Sequence, residues 1–354
     1  MDKIEYIISE TEEHFSGREI IIYGYCDRSI DLREKLESLN YHVAFYVDGS
    51  EQKQMKKGVL DPGVLKNCVE KYYVVIPLSG TDEIPVKLHE LGYSENDYCY
   101  LGDLKYSVIL ETEDYFEDSY GNVIVGGCDR AKIHFNGFGS RVVIGKNFRC
   151  GNEFEVKLRD NSVVKIGDSC FMDCKLTIFD DSLFECGDHC RYEKNGLIYM
   201  ISSDIIIGNE FTVESGYSFH ALKYSAIRIG NDCMFSYNVA LRTNDGHSIF
   251  NIKTGENINS TEKICKERTI TIGDHVWLST NSIVLYNTNI AAGSIIGAAS
   301  LVKTKIPNNC IAAGVPARII RKDISWCRTN YAESISECNE LYVNDTDECE
   351  ERII

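Results

Sequence analysis

A short apolar–glycine unit returns at nearly constant spacing through the second half of the chain, and it sharply limits the folds available. It occurs at Ile144-Gly145, Ile166-Gly167, Cys186-Gly187, Ile207-Gly208, Ile229-Gly230, Ile272-Gly273 and Ile296-Gly297, with first gaps of 22, 20, 21 and 22 residues. Ile272 and Ile290 are 18 residues apart. Self-similarity at this period predicts a solenoid with one coil per repeat. Four residues after the anchors come Phe148, Cys170, Cys190, Phe211, Cys233, Val276, Ser294 and Ser300. The unit is therefore apolar–Gly–x–x–(small or apolar)–x, a hexapeptide step forming one side of a triangular coil, three steps per turn. The anchor points inward and the i+4 residue fills a corner.

That register governs how the 15 cysteines are read. Cys170/Cys174 and Cys186/Cys190 have the spacing of paired metal ligands. Cys170, Cys190 and Cys233 all fall on the corner position, however, where a small apolar side chain is wanted. Packing thiols and no metal are the expectation. An odd number of cysteines in a long chain, without a signal peptide, predicts free thiols and a cytoplasmic location. The start, MDKIEYIISETEEHF, has acids where a signal peptide needs bases. No run approaches the roughly 18 apolar residues of a membrane span.

Before the repeats the pattern differs. REIIIYGY (18–25), YHVAFYVD (41–48), KYYVVIP (71–77) and DYCYLG (97–102) read as strands. DLREKLESL (31–39), a segment opened by Pro62, and residues near 82–91 read as helices. This alternation predicts a small parallel α/β domain over residues 1–105. Gly24 closes one strand and Asp48 the next, a nucleotide-binding spacing. The turn reads Gly-Tyr-Cys-Asp-Arg-Ser rather than G-x-G-x-x-G, so no dinucleotide is expected. A nucleotide-sugar, a glycan end or a docking role all stay open.

The net charge of −17 excludes a general nucleic-acid binder. The charge is uneven. Residues 333–354 carry eight acids and one base, whereas 275–322 hold no Asp or Glu at all. The same stretch contains Lys303, Lys305, Arg318, Arg321 and Lys322. A basic strip in an acidic protein predicts a bound anion, most simply phosphate.

Residues 229–255 (IGNDCMFSYNVALRTNDGHSIFNIKTG) and 270–322 (ITIGDHVWLSTNSIVLYNTNIAAGSIIGAASLVKTKIPNNCIAAGVPARIIRK) make the sequence specific. The ordered string GDHVW, GAAS, IP and AAGVPARIIR closely resembles the hexapeptide-repeat acyltransferases, among them the sugar and polysaccharide O-acetyltransferases. The strong match spans about 95 residues. The resemblance implies a mainly β chain: a left-handed parallel β-helix over 106–322, preceded by a small Rossmann-like α/β domain. An acidic C-terminal tail, part helical, would follow over 323–354. The resemblance further implies a homotrimer, with acetyl-CoA bound between neighbouring subunits and a carbohydrate acceptor.

By the same resemblance His247, in RTNDGHSIF, matches the catalytic histidine. It lies in an excursion of roughly 244–268, inside a 43-residue gap read as about two coils. Imidazole titrates near neutrality and can take a proton from a sugar hydroxyl attacking a thioester. Asp245 is near enough in sequence to orient or charge-stabilise the ring. His275, His220 and His189 are alternatives; His275 and His189 read as structural or surface positions, and His220 could line the same groove. Trp277, Thr280, Ala298, Lys303, Thr304 and Arg321 fall on positions lining the cofactor. The usual Thr-Lys pair of the family reads Lys303-Thr304 here, so whether Lys303 or Lys305 meets phosphate stays open. The expected activity is acetyl-CoA-dependent O-acetylation of a bacterial surface glycan, capsule or O-antigen, or its precursor. An N-acetyltransferase on an amino-sugar nucleotide and a non-catalytic trimeric scaffold are the alternatives.

Overall fold

The computed structural model describes residues 17–77, 83–100, 106–109, 115–118, 120–128, 130–259, 268–329 and 331–347. It divides into two compact units, Met1–Lys105 and Tyr106–Ile354. No helix among the described residues is long and apolar enough to cross a membrane.

The first unit is built on five strands: β1 (Glu19–Tyr23), β2 (Val43–Val47), β3 (Val59–Leu60), β4 (Tyr72–Ile76) and β5 (Tyr98–Tyr100). They form one parallel sheet in the order β3-β2-β1-β4-β5. The helices are α1 (Asp27–Ser38), α2 (Glu51–Gln54) and α3 (Glu83–Glu90). The apolar runs behave as strands buried on both faces should. Ile20, Ile22, Tyr73 and Val75 enter one core, and Ile21, Tyr23, Val74 and Ile76 another. The helix expected after Pro62 is only a 3-10 turn, Pro62–Leu65, capped by Asp61, which accepts the Gly63 N–H at 2.8 Å.

The second unit is a parallel β-solenoid with three sides. The first side stacks Val123–Val125, Arg141–Ile144, Val163–Ile166, Leu183–Cys186, Asp204–Ile207, Ala226–Ile229, Thr269–Ile272, Thr288–Ile290 and Lys305–Ile306. The anchors pair in register, Ile144 with Ile166 and so on through Cys186, Ile207, Ile229, Ile272, Ile290 and Ile306. Ile296 departs from that column. It lies on the second side, paired with Leu278 and Ala312. The second side includes Met234–Phe235, Trp277–Leu278 and Ile295–Ile296; the third includes Ser218–Leu222, Ala240–Arg242 and Ile283–Leu285. Anchors and corner residues alike are buried. Truncating a corner ring such as Phe211 to Ala is expected to cost about 3–5 kcal/mol.

The turn after each anchor explains the glycine. A Cβ on Gly167 would lie 2.4 Å from the Gly187 carbonyl carbon of the next coil, so close backbone approach excludes any side chain. The residue after the glycine then builds a ladder. Asp188 Oδ1 accepts the Asp168 N–H at 2.7 Å, Asn209 accepts from Asp188 at 2.8 Å, and Asn231 accepts from Asn209 at 2.9 Å. The ladder thereby gives the backbone donors of each exposed coil turn a partner on the next coil.

The 43-residue gap proves to be one coil, not two. Ala226 pairs directly with Thr269 and Ile229 with Ile272. Residues 244–259 therefore stand outside the coil. Beyond the last coil, the described tail carries two 3-10 turns, Ile335–Glu337 and Glu340–Tyr342.

Candidate active site

The excursion leaves the third side at Thr243, whose buried Oγ1 lies 2.6 Å from Ser225 Oγ. Asn244 Oδ1 accepts the Gly246 N–H at 2.8 Å and folds the Asn-Asp-Gly turn. The chain then doubles back through an antiparallel bridge between Phe250 and Asn257. His247 sits on the outgoing arm, exposed. Its imidazole has no hydrogen-bond partner among the described residues. Residues 260–267 lie outside the described residues.

The Asp245 carboxylate is held from three directions. Tyr286 donates its hydroxyl to Oδ1 at 3.3 Å, Asn259 Nδ2 donates to Oδ2 at 3.1 Å, and the Arg268 guanidinium lies 3.6 Å from Oδ2. None of these partners is the His247 ring; Asp245 ties the loop to the solenoid. The Tyr286 ring in turn lies beneath two cations, Arg268 at 5.2 Å and Lys303 at 5.7 Å from its centroid. Burial and the neighbouring Asp245 charge push the Tyr286 hydroxyl above its ordinary pKa. Asp245, His247 and Lys303 are thus brought to one corner, between the third and first sides. Thr304, half-buried, is on that corner too, with Lys305 exposed at the start of the next strand.

The remaining residues lie elsewhere. Trp277, Ile295, Ile311 and Arg321 form one register column on the second side. Trp277 and Arg321 are three strands apart, about 14 Å at ordinary strand spacing. Trp277 Nε1 donates to Ser236 Oγ at 3.2 Å. Thr280 and Ala298 stack at the corner between second and third sides, where Thr280 O accepts the Ala299 N–H at 2.9 Å. In a triangle, the corner carrying His247 is the one opposite the side carrying Trp277 and Arg321.

The other histidines are accounted for. His275 is buried, 2.6 Å from Asp232 and 3.0 Å from the Trp326 carbonyl oxygen. Its ring is stacked between Trp326 at 3.9 Å and Tyr342 at 4.5 Å. Arg328 reaches the other Asp232 oxygen and donates to the Glu210 and Cys233 carbonyls at 2.8 and 2.9 Å. His275 therefore clamps the tail. His189 is an exposed turn residue with a φ of 58°. His220 is half-buried on the third side, 5.6 Å from the Tyr199 ring. Burial, then the Arg242 charge, push its pKa down, so it is neutral at neutral pH.

The sulfurs of Cys170, Cys186 and Cys190 lie within 4.8 Å of one another. Their placement follows the coil. Cys170 donates to Gly187 O at 3.2 Å, Cys190 to Gly208 O at 3.3 Å, and Cys233 to Gly273 O at 3.1 Å, each on the next coil. Among the described residues three sulfurs meet here, one fewer than a four-thiolate zinc site takes.

Asn259, Arg268 and Tyr286 escaped the sequence reading. Tyr286 lies within the acid-free stretch, which signalled a site but not this residue. Asn259 carries no local signal, since the partners of its carboxamide are 10 to 14 positions away.

No family model matches the chain. A polysialic acid O-acetyltransferase of Neisseria meningitidis is 31% identical over 192 residues, covering 52% of this chain and 85% of that protein. One of Escherichia coli O1:K1 is 33% identical over 144 residues, covering 41% of this chain and 45% of that protein. The match therefore spans about half the length of the latter relative. Among solved structures, the polySia-specific acetyltransferase NeuO is 31% identical, covers 58% of this chain and 92% of its own, and has a TM-score of 0.42. The chain belongs to the hexapeptide-repeat acyltransferases, and within them to the sugar and polysaccharide O-acetyltransferases.

Proposed function

We propose that the chain is an acetyl-CoA-dependent O-acetyltransferase acting on a sugar hydroxyl of a bacterial surface polysaccharide, capsule or O-antigen, or its precursor. His247 is the general base. It takes the hydroxyl proton as the sugar oxygen bonds to the thioester carbonyl carbon; the carbon–sulfur bond breaks, and the coenzyme A sulfur leaves and takes up a proton. Trp277, Thr280, Ala298, Lys303, Thr304 and Arg321 line the cofactor, with the basic strip on its phosphates. Polysialic acid, named in two relatives, is a sugar polymer of the class proposed.

The observation that carries this reading is the opposition of His247 to the Trp277–Arg321 side within one chain. A site needing both is completed by a second copy. Homotrimerisation through a left-handed coil supplies that copy, and the third side offers a surface for it. Leu197, Tyr199, Ile201, Ile283, Leu285 and Leu301 alternate with buried residues and face outward there. They form two apolar groups on either side of Ser218, His220, Ala240 and Arg242, and exposed apolar groups rimmed by polar residues suit an interaction face. Cys170, Cys174, Cys186, Cys190 and Cys233 are free thiols, as fits a reducing cytoplasm.

The N-acetyltransferase reading rests on the first unit, whose Rossmann-like strand order suits a nucleotide-sugar. Against it, Asp48 already accepts the Tyr25 and Ser50 N–H groups at 2.8 and 2.9 Å and pairs with Lys53 at 3.1 Å. The deciding experiment follows thiol release from acetyl-CoA across neutral sugars, polysaccharides and amino-sugar nucleotides. Release with hydroxyl acceptors supports the proposal; release only with amino-sugar nucleotides replaces it.

A further inference from the structure

The hairpin bearing His247 is closed at its base by one side chain. Asn259 Nδ2 donates to the His247 carbonyl at 2.9 Å and to Asp245 Oδ2 at 3.1 Å. Its Oδ1 accepts the Ile249 N–H at 2.8 Å. Its own carbonyl accepts from Arg268 at 3.3 Å. Three alternate positions of the outgoing arm, 245, 247 and 249, are thus fixed by one carboxamide, and only a carboxamide both donates and accepts in this way. The loop lies outside the coil register, so no stacked neighbour can fix the His247 backbone in its place.

We infer that Asn259 is a positioning residue for the reaction: it sets the backbone from which the His247 imidazole projects, without touching the substrate. The inference rests on His247 being the base. Misplacing a catalytic group by about 1 Å is worth up to about a hundredfold in rate. The carboxamide holds the arm that carries the base and bonds none of the residues assigned to the cofactor, so its effect falls on kcat.

The test compares Asn259→Ala, Asn259→Asp and the reversed pair Asp245→Asn/Asn259→Asp with His247→Ala, all in the full chain. Aspartate keeps the volume and the acceptor but cannot donate, and it faces the Asp245 carboxylate. Asn259→Ala and Asn259→Asp should lower kcat about 10- to 100-fold. KM for acetyl-CoA, melting temperature and sedimentation should stay near wild type. The lower limb of the pH–rate profile should persist, because the base itself is intact. The reversed pair should recover part of the Asn259→Asp loss by restoring a donor–acceptor contact between positions 245 and 259. Near-normal kcat in Asn259→Ala beside an inactive His247→Ala overturns the inference and leaves the base assignment standing. An active His247→Ala overturns both.

Discussion

Tyr286 donates its hydroxyl to Asp245 Oδ1 at 3.3 Å across 41 positions of sequence. The contact exists because the coil after the loop returns beneath it. Tyr286→Phe keeps the ring under Arg268 and Lys303 and removes only this bond. A long neutral-to-charged bond is at the weak end of its class, so kcat should fall about two- to tenfold with no change in melting temperature. Steady-state kinetics at saturating acetyl-CoA checks this; an unchanged kcat means that Asn259 and Arg268 alone hold Asp245.

Arg321 extends the Trp277 column on the second side. Arg321→Ala should raise KM for acetyl-CoA about tenfold and leave KM for the acceptor alone. The residue is exposed, so the difference should shrink as ionic strength rises. Equal effects on both substrates would move the phosphate site elsewhere.

The outward face of the third side predicts self-association. Ile283→Asp places a charge on that surface and should convert a trimer to monomers in sedimentation at micromolar concentration. The same variant should lose transfer activity, since the proposed site is completed by a second copy. A stable wild-type monomer would defeat both expectations.

The tail clamp should fail in acid. Burial alone would push the Asp232 carboxyl up, but hydrogen bonds from His275 and Arg328 outweigh it and hold its pKa below the ordinary value. A depressed carboxyl stabilises the folded state above its unfolded pKa, about 3.9, and that stabilisation is lost as pH falls through the lower folded value. Trp326 emission should therefore report tail release below about pH 4. Release centred near neutrality would assign the clamp to another group.

What could be read in advance follows from which contacts are local. The anchors were legible because an 18- to 22-residue coil returns each one to the same column. Ile296-Gly297 looks identical locally, yet belongs to the second side, because a hexapeptide step carries no mark of which side it builds. The 43-residue gap was misread because length alone does not separate a coil from a loop; the pairing of Ala226 with Thr269 does. The Pro62 segment opens with a residue suited to a helix start, but Gly63 lies within it and only the 3-10 turn Pro62–Leu65 results. The Asn259–Asp245–Tyr286 cluster was illegible for the opposite reason: the doubling back of the excursion joins Asn259 to Asp245, and coil stacking brings Tyr286 to them from 41 positions away.

The most direct test of the account is the rate of acetyl transfer by His247→Ala. The account predicts a kcat lower by about 10²–10⁴, acetyl-CoA binding and trimer intact, and loss of the lower limb of the pH–rate profile. Folding should survive, since the loop lies outside the stacked coils. A folded, trimeric His247→Ala protein that still turns over an acceptor sugar at a near-normal rate would contradict it.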